Sequence, residues 1–223
     1  MKAMILAAGL GTRMRPLTDH LPKPLLPVAG KPLIVWHIEA LAAAGVTALV
    51  INAAHRAEQL QSAIGDGSAW GVQIAWSIEA QPLETAGGLI AALPLLGEQP
   101  FLVINGDVWW RPSWQALCAP LQGDLARLTL VDNPPQHPAG DFHLQAGRVH
   151  EQGSPRLTFA GISLIDPALF ADLPAGVRPL APVLRVAMQQ GRVAGWHHRG
   201  AWVDVGTPQR LSDLTAALAA GSL

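Results

Sequence analysis

The sequence predicts an α/β fold, a doubly wound and mostly parallel sheet with helices on both faces, joined to a smaller β region in its second half. Three observations lead there. Short apolar runs without polar alternation, such as Ala3 to Ala8 and Phe101 to Ile104, have the pattern of strands buried on both faces. Between such runs lie stretches of helix-forming residues bounded by proline at the start and glycine at the end, the usual helix asymmetry. Strand and helix then alternate regularly through residues 1–110, which in one sheet implies right-handed crossovers.

In chain order, Ala3 to Ala8 is the first strand, Pro32 to Gly45 a helix and Val46 to Ile51 the next strand. Ala54 to Ile64 reads as helix, Gly71 to Ser77 as strand, Thr85 to Leu96 as helix and Phe101 to Ile104 as strand. From Pro112 the pattern loosens. Arg127 to Val131 is a strand, Phe142 to Leu144 and Arg148 to His150 form a hairpin around Gly147, and Leu157 to Ile165 is a strand containing Gly161. Asp132 to Gly140 holds three prolines and can be neither helix nor central strand, so it is a loop of the kind that covers substrates. A helix from Pro182 to Gln190, a strand from Val193 to Trp196 and a last helix from Pro208 to Ala220 complete one domain spanning residues 1–223.

Composition bounds the function. At 223 residues with 50% hydrophobic and 14% charged, the chain can bury a substantial core and is not disordered. A net charge of −1 gives no basic field for nucleic acid or an anionic membrane. One cysteine, Cys118, excludes an internal disulfide framework and fits a reducing compartment. Met1 to Ala8 is short for a signal peptide and runs straight into a glycine loop, so a cytoplasmic, soluble protein is expected, monomeric or weakly dimeric.

That glycine loop is the most informative stretch. Gly9, Leu10, Gly11, Thr12 and Arg13 follow the first strand directly, and two glycines allow a sharp turn whose N–H groups can face an anion. Arg13 adds a planar fork of donors and Lys23 a compact charge, both suited to phosphate. A dinucleotide-type Rossmann loop is disfavoured, because the third glycine is missing and Pro16 stops a helix from running on. A tight turn with solvated charges is the simpler reading of Gly-Leu-Gly alone.

Leu6-Ala7-Ala8-Gly9-Leu10-Gly11-Thr12-Arg13-Met14-Arg15-Pro16-Leu17-Thr18, followed by Pro22-Lys23-Pro24-Leu25, resembles the signature of the sugar-1-phosphate nucleotidylyltransferases. The resemblance implies a Rossmann-like sheet whose first half, residues 1–110, binds nucleotide and whose second, residues 111–223, faces the sugar. It implies that Gly11, Thr12, Arg13 and Lys23 hold a nucleoside triphosphate, Arg13 and Lys23 being catalytic through charge neutralisation. Asp107, after the strand Phe101 to Ile104, and Asp204, in Trp202-Val203-Asp204-Val205-Gly206-Thr207-Pro208, match its two Mg²⁺-binding aspartates. Asn105-Gly106-Asp107 is also strong turn chemistry, and Thr207 with Pro208 also reads as a helix cap.

Gln81, Ala86 and Gly87 fall where the family faces the base, although Thr85 alone reads as a helix cap. The Gln81 amide both donates and accepts, which suits the pyrimidine imide of uracil or thymine and favours uridine over guanosine. Asn105, Gly140, Glu151 and Gly161 fall where the family meets the sugar phosphate. Relatives often carry Glu-Lys-Pro at Glu151; this chain has Glu151-Gln152-Gly153, so another cation must approach that phosphate, Arg148, Arg156 or the metal being the candidates. The histidines show no ligand spacing and Trp109 and Trp110 read as core, with stacking on a sugar or base as the other option. The implied reaction joins a sugar 1-phosphate to UTP with release of pyrophosphate, and the phosphate dianion needs no general base. Mannose-, glucose- or N-acetylglucosamine-1-phosphate with another base, or a silent nucleotide-sugar sensor, are the rival expectations.

Overall fold

A computed structural model describes residues 1–223. The strands are β1 (Lys2–Leu6), β2 (Pro27–Val28), β3 (Lys31–Pro32), β4 (Ala48–Ala53), β5 (Gln73–Ile78), β6 (Phe101–Asn105) and β7 (Val108–Trp110). They continue with β8 (Ala126–Val131), β9 (Phe142–Gln145), β10 (Arg148–His150), β11 (Arg156–Ile165), β12 (Val193–His197) and β13 (Trp202–Asp204). The helices are α1 (Leu33–Ala43), α2 (Ala57–Ile64), α3 (Glu84–Leu96), α4 (Trp114–Leu117), α5 (Leu180–Gln189) and α6 (Pro208–Ala219).

Nine strands form one sheet in the order β5-β4-β1-β6-β11-β8-β12-β10-β9. The run β5-β4-β1-β6 is parallel, as the uninterrupted apolar strands predict. β11 enters antiparallel to both β6 and β8, so the sheet as a whole is mixed. β7 and β13 form a two-stranded ribbon separate from the main sheet.

Alternating side chains of the central strands feed two cores. Ala3, Ile5, Leu49, Ile51, Leu102 and Ile104 pack with α1, α2 and α4 on one face. Met4, Val50, Phe101 and Val103 pack with α3 and α5 on the other. A third, smaller cluster joins Met14, Leu33, Trp109, Val205, Leu211 and Leu214, and so fixes the ribbon and α6 to the turn that follows β1. Thr207 caps α6 by accepting from the Arg210 N–H at 3.3 Å, with Pro208 in the first turn, as its sequence predicts. Thr85 is no cap: α3 begins one residue earlier, at Glu84. No helix is long and apolar enough to cross a membrane.

Candidate active site

The chain runs from β1 to β4 to β5 in one direction across the sheet and then returns to place β6 on the other side of β1. The carboxyl ends of β1 and β6 therefore diverge around a crevice, the place where open α/β sheets bind ligands. A cleft of about 430 Å³ lies there, lined by residues 6–14, Lys23 and Pro24, Asn52, Glu79, residues 82–85, residues 105–107 and Gly206.

The glycine loop after β1 is shaped by local sterics. Gly11 has φ +64°, and a Cβ there would stand 3.1 Å from Thr18 Cγ2 and 3.3 Å from Lys23 Cβ. The Thr18 hydroxyl donates to the Gly11 carbonyl at 2.9 Å, closing the loop back on itself. A single 3₁₀ turn over Thr12–Met14 follows and goes no further, consistent with Pro16. Met14 is anchored in the third core while Thr12 and Arg13 remain exposed along the cleft.

The turn after β6 is tied to the same place. The Gly106 N–H donates to the Leu6 carbonyl at 2.8 Å, and a Cβ on Gly106 would lie 2.6 Å from that oxygen. Asp107 follows, with its Oδ2 2.9 Å from Lys23 Nζ. β13 delivers Asp204 beside it: Asp204 pairs with Val108, and the Val205 N–H donates to the Asp107 carbonyl at 2.8 Å. Arg210, from the first turn of α6, binds Asp204 through Oδ2. Each carboxylate is thus held by one cation through one oxygen, with Oδ1 left over.

The opposite wall is the arm between β5 and α3. Here Pro82, Leu83, Glu84 and Thr85 face the cleft. Gln81 is exposed outside that lining, and Ala86 and Gly87 are buried in α3. A Cβ on Gly87 would meet the Gly176 carbonyl oxygen at 2.3 Å, so this glycine serves close packing of residues 176–178 on α3. The cleft-facing part of the arm, residues 82–85, therefore lies between the positions expected from sequence, Gln81 on one side and Ala86 and Gly87 on the other. Asn52 and Glu79, which sequence reasoning missed, lie buried beneath the cleft; their only signal was a lone polar residue near the carboxyl end of β4 and another just past β5.

The profile of the nucleotidyl transferase family matches residues 2–142. The chain belongs to this family. It is 53% identical to an N-acetylmuramate alpha-1-phosphate uridylyltransferase of Neisseria meningitidis serogroup B, over 97% of each chain. It is 36% identical to a protein of the same name in Caulobacter vibrioides, over 97% of this chain and 96% of that one. A mannose-1-phosphate guanyltransferase of Aspergillus oryzae is 34% identical over 94% of this chain, which spans only 62% of that relative. Among solved structures, a putative glucose-1-phosphate thymidylyltransferase from Bacillus anthracis superposes with a TM-score of 0.86 over 97% of this chain and 94% of that one, at 23% identity, a likeness of fold.

The residues expected to meet the sugar phosphate are more dispersed in this nucleotidyl transferase. Asn105 lines the cleft, and Gly161 lies directly behind it: at φ +73° in the bulge of β11, a Cβ would stand 2.6 Å from Asn105 Nδ2. Gly140 is folded against Asn133 and Arg156, outside the cleft lining. Glu151 faces Arg185 of α5 in an ion pair at 3.1 Å, also outside it. Arg148 is taken by Asp124, and Arg156 donates to the Asp141 carbonyl. Trp109 and Trp110 are core residues, 4% and 5% exposed.

The two aspartates fit a divalent ion. No group of three or more His, Cys, Asp and Glu side chains gathers in the chain, so an all-protein metal cage is absent. Mg²⁺ does not require one, since it commonly takes one or two carboxylates and completes its shell with substrate phosphates and water. Asp107, in the turn just before β7, and Asp204, at the end of β13 and paired with Val108, each keep a free Oδ1 and offer that donor set, with Asp107 alone of the two lining the cleft.

Proposed function

We propose that this nucleotidyl transferase transfers the uridylyl group of UTP to N-acetylmuramic acid α-1-phosphate, giving the UDP-sugar and pyrophosphate. The chemistry is carried by one observation: Arg13, Lys23 and Asp107 converge on a single cleft at the sheet's switch point. The choice of sugar and base is supported by the printed names of the two relatives that match along nearly their whole length. An N-acetylmuramyl substrate would assign the reaction to recycling of cell-wall sugar in the cytoplasm.

The attacking group is an oxygen of the sugar 1-phosphate, a monoester that is mostly a dianion at neutral pH. It needs no base, and none of the histidines lines the cleft. What the chain must do is hold two polyanions in line and lower the charge that builds on the departing pyrophosphate. The loop N–H groups around Gly11 and the Arg13 guanidinium take the triphosphate tail. Lys23 sits between that tail and Asp107, so its charge serves both. Mg²⁺, held by Asp107 and Asp204, would add neutralisation of the α-phosphate when bound. Asn105, placed by the bulge at Gly161, serves the sugar phosphate.

The test is pyrophosphate release over a matrix of UTP, TTP and GTP against N-acetylmuramic acid, N-acetylglucosamine, glucose and mannose 1-phosphates. UTP with N-acetylmuramic acid α-1-phosphate is expected to exceed every other pair in kcat/KM. A higher value for GTP with mannose 1-phosphate would reassign the chain to the activity named for its guanyltransferase relatives, and silence with all pairs would make it a sensor.

A further inference from the structure

We propose that Asn52 and Glu79 form one positioning unit that locks the phosphate loop to the base-facing arm and thereby sets affinity and base selectivity for the triphosphate. The proposal rests on the reading of this cleft as the triphosphate site. Both side chains are interior, 3% and 5% exposed. The Ala7 N–H, where β1 gives way to the glycine loop, donates to Asn52 Oδ1 at 2.7 Å. Asn52 Nδ2 donates to Glu79 Oε1 at 2.6 Å, and Glu79 Oε2 accepts from the Leu83 N–H at 2.9 Å. The chain of bonds runs without a break from one wall of the cleft to the other.

Its polarity is fixed at both ends, because a backbone N–H can only donate. The Asn52 oxygen must face Ala7, so its amide nitrogen must face Glu79. Burying this pair is costly compared with two apolar side chains of similar size, so packing alone does not account for it. Space is reserved for it as well: a Cβ on Gly88 of α3 would stand 2.7 Å from Glu79 Oε1 and 2.9 Å from Asn52 Nδ2.

The arm end of the unit carries strain. Glu84 has φ +62°, a conformation that non-glycine residues hold only when their surroundings impose it. The preceding residue is pinned on both sides, its N–H by Glu79 and its carbonyl by the Arg178 N–H at 2.9 Å. Glu84 and Thr85 face the cleft from that pinned position. Glu79 thus acts on the ligand through the arm, as a positioning residue.

The arrangement permits a polarity swap. In Asn52→Asp two carboxylates oppose one another, and in Glu79→Gln an amide N–H₂ is forced against either Asn52 Nδ2 or the Leu83 N–H. The double variant Asn52→Asp/Glu79→Gln restores every bond at unchanged total charge. The new carboxylate at position 52 would accept from the Ala7 N–H and from the new amide at position 79, whose oxygen would accept from the Leu83 N–H. Each single variant is expected to raise KM for UTP about tenfold and to narrow the UTP-over-GTP preference, since each leaves a buried polar group mispaired. KM for the sugar 1-phosphate should move by less than about twofold, and the double variant should return to within about threefold of the parent for UTP.

Single variants with parental KM for UTP overturn the proposal. So does equal damage to both substrates, which a merely structural pair would produce. A double variant that stays as impaired as the singles, or does not fold, assigns the Glu79 carboxylate itself to the ligand or to stability and equally refutes positioning. Should the unsubstituted protein turn over no UTP, the substrate reading has failed; the coupling is then read from calorimetric Kd values for UTP, TTP and GTP in the same four proteins.

Discussion

Lys23 lies 2.9 Å from Asp107 Oδ2 and beside the loop built on Gly11. Its side chain is largely enclosed while that of Asp107 is 37% exposed, so removing either leaves water within reach of the other. Lys23→Ala and Asp107→Ala are therefore each expected to lower kcat by about two orders of magnitude or more, the scale of losing one preorganised charge. Melting temperature should change little, because a partly solvated pair contributes about 1 kcal/mol or less. Pyrophosphate release beside thermal unfolding separates the two effects, and a variant with parental turnover would remove its residue from the mechanism. These residues were legible in the sequence because their chemistry is local: a glycine loop, a nearby lysine and an aspartate just past a strand. Asn52 and Glu79 were not, since one polar residue near a strand end has no motif, and only the fold shows that 27 residues of separation close to a 2.6 Å bond.

At the level of elements, α3 ties the arm between β5 and α3 to the segment before α5. The Gly87 N–H donates to the Arg178 carbonyl at 3.1 Å, and the missing Cβ lets the Gly176 carbonyl approach. Gly87→Ala would place a carbon 2.3 Å from that backbone oxygen, so the segment must move. Overpacking of this kind costs about 1–3 kcal/mol, to be read as a lower urea midpoint with unchanged slope. An unchanged midpoint would mean that residues 174–178 shift freely and do not brace the arm. The sequence placed nearly every helix and main-sheet strand within a few residues, because proline starts, glycine stops and apolar runs are local signals. Strand direction was another matter. The antiparallel entry of β11 leaves no trace in a strand buried on both faces, and its bulge between Phe159 and Ser163, which clears space behind Asn105, appears only in the register. The arm is a similar case: Ala86 and Gly87, expected from sequence to face the base, lie buried in α3 outside the cleft lining, which the arm meets through residues 82–85.

Across the whole molecule, acid stability is linked to a histidine beneath the site. His37 of α1 is 2% exposed, between the first core and the tryptophans of the β7–β13 ribbon. Burial holds its pKa at about 4, well below the ordinary 6.5, against smaller opposing effects of the Val108 carbonyl and the Asp107 charge. The folded state thus keeps this ring neutral where the unfolded chain already binds a proton. Its stability is complete above pH 6.5, falls as pH drops from 6.5 towards 4, and levels off below that. The full difference amounts to about 3 kcal/mol. Carboxylates titrate at the lower end of the same window, so the contribution is isolated by comparison with His37→Leu. Urea unfolding at pH 7 and pH 4.5 is expected to show a smaller loss for His37→Leu than for the parent, whatever its stability at pH 7. Parallel losses would mean that the His37 ring is hydrated and titrates freely.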